Sequence, residues 1–91
     1  MRYNVLLHPK AADFLRKTDA KLRERIKRTL RELEESPERR GVRLRYSPFY
    51  RLRIGDYRTI YTINSEERKV IVLFIGHREE VYDDFSRLFS L

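Results

Sequence analysis

The stretch from Tyr50 to Tyr61, Tyr-Arg-Leu-Arg-Ile-Gly-Asp-Tyr-Arg-Thr-Ile-Tyr, constrains the fold more than any other part of the chain. Bulky and basic residues alternate on both sides of a two-residue Gly-Asp break, the pattern of a β-hairpin closed by a tight turn. With Gly55 and Asp56 as the loop, Ile54 pairs with Tyr57, Arg53 with Arg58, Leu52 with Thr59 and Arg51 with Ile60. Cross-strand partners share a face of the sheet. One face therefore carries Arg51, Arg53 and Arg58, and the other Tyr50, Leu52, Ile54, Tyr57, Tyr61 and Ile63. Like charges set opposite each other cost stability. Three guanidinium groups gathered despite that cost point to an anionic partner, and phosphate matches the planar guanidinium fork. An ordinary solvent-facing sheet surface is the competing reading.

The chain has 91 residues, of which 41% are hydrophobic and 12% aromatic, enough for a single modest core and hence for one domain spanning 1–91. A formal net charge of +7 favours an acidic partner, whether nucleic acid, ribosome or an acidic protein. The 38% of charged residues, of both signs, would equally suit surface ion-pair networks. Cysteine is absent, which excludes disulfide and thiolate chemistry and agrees with a reducing cytoplasm, the expected location. The longest apolar run, Val70 to Ile75, is too short to cross a bilayer, and the N-terminus lacks a signal-peptide core, so no membrane partner is expected. With two histidines and no glycine-rich phosphate loop, zinc, nucleotide and small-molecule cofactor sites have no support.

Taken in order, Tyr3 to Leu7 reads as a first strand that stops at His8-Pro9, with His8 ending the strand and proline opening a helix. The first helix runs from Pro9 to Lys17 with Ala11, Phe14 and Leu15 on one stripe. Asp19 caps a second helix, in which Leu22, Ile26, Leu30 and Leu33 form an apolar seam that ends at Ser36 before Pro37. The remainder of that helix, with Lys21, Arg23, Arg25, Lys27, Arg28 and Arg31, reads as a solvated face. A short strand is expected at Val42 to Arg45. After the hairpin, Asn64 to Lys69 is a polar turn into Val70 to Gly76, an unalternating strand that belongs near the middle of the sheet. Glu79 to Leu91 suits a short terminal helix. The fold class is α+β: a small antiparallel-rich sheet in the order β-α-α-β-β-β-β, with a helical hairpin on one face and the first strand joining in parallel.

The Tyr50 to Tyr61 run, followed by an apolar strand and by Gly76-His77-Arg78 with Val81-Tyr82, resembles the RelE/ParE superfamily of toxin–antitoxin toxins. The matching element order covers nearly the whole chain and implies a microbial-RNase-like RelE fold. RelE-type members are ribosome-dependent endonucleases that cut mRNA in the decoding site. ParE-type members inhibit DNA gyrase on a similar scaffold, and the motifs separate the two branches poorly.

The RelE-type reading implies a metal-independent mRNA interferase whose partners are the ribosome, mRNA and a cognate acidic, RelB-like antitoxin. It carries roles onto Arg51, Arg53, Arg58, Arg78 and Tyr82. Arg51 and Arg53 would hold the RNA backbone, Arg58 would neutralise charge on the phosphoryl oxygens, Arg78 would stabilise the departing 5′-oxygen, and Tyr82 would stack on or orient a base. The best-known bacterial members of the superfamily carry lysines where this chain has Arg51 and Arg53, and arginine cannot lose its proton to act as a base. His77 is the titratable substitute, with a backbone-bonded strand-end histidine as the alternative. A further alternative is that the 2′-hydroxyl ionises with no strong protein base, helped by clustered positive charge.

Overall fold

The hairpin forms in the register that its Gly-Asp turn dictates. A computed structural model describes residues 2–77 of the chain. In it β3 (Phe49–Ile54) and β4 (Tyr57–Asn64) pair antiparallel, with Ile54 opposite Tyr57, Arg53 opposite Arg58, Leu52 opposite Thr59 and Arg51 opposite Ile60. Gly55 adopts φ 60°, a left-handed conformation in which a side chain would be strained, and the Arg25 guanidinium lies against it.

Among the described residues, five strands build one sheet in the order β1-β5-β4-β3-β2, with β1 as Asn4–Leu7, β2 as Val42–Arg43 and β5 as Lys69–His77. β1 lies parallel to β5 at one edge and the other pairings are antiparallel. Helices α1 (Pro9–Lys17) and α2 (Ala20–Arg31) cover one face. The apolar stripes read from the sequence are the ones that pack. Ala11 and Leu15 of α1, Ile26 and Leu30 of α2, and Leu33 join Ile54, Tyr61, Val70, Val72 and Ile75 in one core, flanked by Phe14, Leu22, Tyr50, Leu52 and Ile63. The α+β class, the parallel first strand and the interior position of β5 are as expected.

Several boundaries differ from the sequence expectation. The second helix stops at Arg31 rather than at Ser36. A 3-10 turn at Glu32–Glu34 comes next, and Ser36 takes a left-handed φ of 48° before a short helix α3 (Pro37–Arg40). Proline bars its predecessor from continuing an α-helix, and the tighter turn still keeps Leu33 wholly buried. β2 is only Val42–Arg43, because the chain turns back through Tyr46, at φ 59°. β1 and β5 are each one residue or so displaced from the expected limits. His8 does more than end a strand: its Nδ1 accepts a hydrogen bond from the Lys10 amide at 3.1 Å and caps α1. The expected terminal helix from Glu79 to Leu91 lies outside the described residues.

One irregularity governs which way β5 presents its side chains. Between Ile60 and Tyr61 the register with β5 shifts: Ile60 pairs with Phe74 but Tyr61 pairs with Val72, so Leu73 is an extra residue. Val70 and Val72 point into the helix-covered core, and after the bulge so does Ile75, while Leu73 and Phe74 pack against Ile60 on the other side.

Candidate nucleic-acid interface

The sheet face turned away from the helices holds the arginines. Arg53 sits directly opposite Arg58, and Arg51 opposite Ile60, so strand pairing puts all three on the same side. Arg53 is exposed, whereas Arg51 and Arg58 are half-buried. Between and beside them lies an apolar floor that the sequence pattern did not reveal. Ile60 is fully buried there, with Leu44, Phe49, Leu73 and Phe74 packed around it. Apolar surroundings lower the local dielectric, so a guanidinium at their edge attracts an anion more strongly than one in open water.

Ion pairs tie together other parts of the described surface. Arg2 reaches Glu34 and Glu35, Asp13 pairs with both Arg16 and Lys17 along α1, Arg40 lies near Glu32, and Lys69 near Glu67. Lys17 and then Arg16 hold the Asp13 carboxyl below its ordinary range. Arg53 and Arg58 belong to none of these pairs. Arg58 also has a buried Nε with no hydrogen-bond acceptor among the described residues. A buried donor without a partner costs of the order of 1–3 kcal/mol.

His77 is placed differently from the arginines. It pairs with Tyr57, and their rings meet edge to face at 5.6 Å, while Tyr57 in turn packs edge-on against Phe14 of α1 at 5.8 Å. His77 therefore stands exposed at the end of β5 on the helix-covered side, opposite in sense to Arg51, Arg53 and Arg58. The bulge is the reason. Strict alternation from Val70 would carry His77 to the arginine side, and the extra residue reverses the parity. Arg78 and Tyr82 lie outside the described residues. A cavity of about 390 Å³, lined by Tyr3, Glu38, Arg43, Pro48, Tyr50, Ile63 and Ser65, includes none of the three arginines. No cluster of metal-ligating side chains occurs among the described residues, and none of their helices is long and apolar enough to cross a membrane.

Fold and site together define a small α+β domain with helices on one side of its sheet and a cationic, apolar-floored surface on the other. Residues 5–82 match the family model of the ParE toxin of the type II toxin–antitoxin system parDE. The mRNA interferase toxin RelE of Escherichia coli strain K12 is 34% identical over 89 residues, covering 92% of this chain and 94% of that protein. Among solved structures, an arginine-to-alanine double mutant of Escherichia coli RelE in the free state superposes with a TM-score of 0.79 at 32% identity, covering 98% of this chain and 99% of that one. The archaeal RelE–RelB complex from Pyrococcus horikoshii matches with a TM-score of 0.74 at 27% identity, over 86% of this chain and 97% of that one. The chain belongs to the ParE toxin family of type II toxin–antitoxin systems, within the RelE/ParE superfamily.

Proposed function

We propose that the protein is a RelE-type toxin, an endoribonuclease that cuts mRNA on the ribosome and is silenced by a cognate antitoxin. The observation that carries the reading is the strand register that sets Arg53 opposite Arg58 and Arg51 opposite Ile60, and so gathers three guanidinium groups on the sheet face away from the helices. Relatives support it: the family model bears the ParE name, but the curated and structural relatives that span nearly the full chain are RelE toxins. That favours RNA cleavage over the alternative of gyrase inhibition.

In the proposed reaction the ribose 2′-oxygen attacks the adjacent phosphorus, the bond to the 5′-oxygen breaks, and a 2′,3′-cyclic phosphate and a free 5′-hydroxyl result. The proton lost by the 2′-hydroxyl leaves as the departing 5′-oxygen gains one. Arg51 and Arg53 hold the backbone, and Arg58 stabilises charge on the phosphoryl oxygens in surroundings of low dielectric. Arg78 and Tyr82, by resemblance, attend the 5′-oxygen and a neighbouring base. His77 faces away from the arginines, which favours ionisation of the 2′-hydroxyl beside clustered positive charge over removal of its proton by this histidine. An acidic RelB-like antitoxin would neutralise the same face by charge complementarity, and both proteins would act in the cytoplasm, where the ribosomes are.

Primer-extension mapping on ribosomes programmed with a defined message tests this. The parental protein should cut within codons, Arg58→Ala should lower the single-turnover rate by about 10²–10³-fold, and His77→Ala should cut at the parental rate. Intact message together with inhibited DNA supercoiling would replace this reading with the gyrase one.

A further inference from the structure

The loop joining β2 to β3 displays an aromatic ring that packing does not explain. Tyr46 is 97% exposed, and its backbone is left-handed, at φ 59°. Glycine or asparagine takes that conformation with far less strain, so neither the turn nor the core calls for tyrosine here. The loop is fastened on either side of it. Leu44 N–H donates to the Phe49 carbonyl at 2.8 Å, Arg43 Nε to the Ser47 carbonyl at 3.0 Å, and Thr62 Oγ1 to the Pro48 carbonyl at 3.1 Å. Ser47 Oγ donates to the Leu44 carbonyl at 3.0 Å and accepts from Phe49 N–H at 3.2 Å. The Arg45 guanidinium lies 5.8 Å from the centre of the Tyr46 ring. A loop hydrogen-bonded at both flanks thus presents an aromatic face and a cation together to solvent.

The loop is continuous with the arginine face. Leu44 and Phe49, on either side of it, both pack on Ile60, the residue paired with Arg51. From Arg53 back to Phe49 the strand advances about 13 Å at the usual rise per residue, a distance that a few nucleotides of single strand can span. We propose that Tyr46 is a base-stacking residue, receiving an unpaired nucleobase of the RNA strand whose backbone the arginines hold. Splayed bases of single-stranded RNA stack on aromatic and guanidinium planes with little regard to base identity. This assignment rests on the RNA reading under Proposed function and adds to it the place where a flanking base is held.

The chain contains no tryptophan, so Tyr46→Trp installs a single tryptophan at the loop, which can be excited apart from the remaining tyrosines. A short, unstructured oligoribonucleotide should quench its emission, and inorganic polyphosphate, which offers charge without bases, should not. In the ribosome assay Tyr46→Ala should raise KM for message about tenfold with kcat unchanged, within the range that stacking of one base supplies, and Tyr46→Phe should restore the parental value. Equal quenching by polyphosphate, no quenching by RNA, or a parental KM for Tyr46→Ala would overturn the assignment. So would quenching by an acidic antitoxin segment alone, which would make the ring a protein contact. If the parental protein cuts no message, the nuclease reading fails while the fluorescence comparison still decides the role of Tyr46.

Discussion

Tyr61 shows what one polar atom does inside this core. The side chain is fully buried, its hydroxyl donates to the Pro37 carbonyl at 2.6 Å, and the Gly41 amide donates to it in turn. The ring also stacks on Tyr50 at 5.3 Å. One residue of β4 thereby ties α3 and the start of β2 to the sheet that bears the arginines. Tyr61→Phe leaves the Pro37 carbonyl and the Gly41 amide without that partner and should cost about 1–2 kcal/mol in a denaturant titration. Burial pushes the hydroxyl up from 10.0 to about 12, although the Gly41 hydrogen bond pulls the other way. The folded state thus holds this proton where the unfolded chain would release it. The stabilisation is complete below pH 10 and is lost as pH rises from there towards 12, so the melting difference between the parental protein and Tyr61→Phe should narrow over that window. Gly41 is needed for space: a Cβ there would lie 2.6 Å from both the Arg51 carbonyl oxygen and the Tyr61 hydroxyl. Gly41→Ala should destabilise by about 1–3 kcal/mol, read as a drop in thermal midpoint.

At the scale of elements, α1 is a nine-residue helix that depends on its neighbours for stability. Arg23 of α2 supplies part of it, with Nε donating to the Leu15 carbonyl at 2.8 Å and an Nη to the Thr18 carbonyl at 2.7 Å. The sequence places Arg23 among solvated cations, because composition cannot distinguish a guanidinium in water from one that closes the end of another helix. Arg23→Ala should lower stability by about 1.5–3 kcal/mol, measured by denaturant titration. Arg23→Lys should recover only part of it, since a single ammonium cannot reach two carbonyls as a fork does. The same limit applies to β5. Its unbroken apolar run announces burial on both sides, but it does not announce the extra residue at Leu73 that sends Phe74 to one face and Ile75 to the other.

For the molecule as a whole, net charge and its distribution govern association. Binding to single-stranded RNA should weaken with salt, and each arginine of the sheet face that neutralises one phosphate contributes about −0.7 to the slope of log affinity against log salt. Arg51→Ala and Arg53→Ala should each flatten that slope by about this amount in an anisotropy titration, whereas Glu66→Ala, in the turn between β4 and β5, should not flatten it. The local pattern was enough to pair Arg53 with Arg58 and to separate arginines from core residues, because a two-residue turn and a period of two leave one register in which the apolar side chains are buried. The helical stripes were legible for a similar reason: residues three and four apart share a helix face whatever lies beyond it. The packing of Leu73 and Phe74 against Ile60 and the position of His77 were decided only when β5 met β4 with a bulge. The chain's own periodicity is written into its sequence. An inserted residue resets that periodicity at a point that only the partner strand defines.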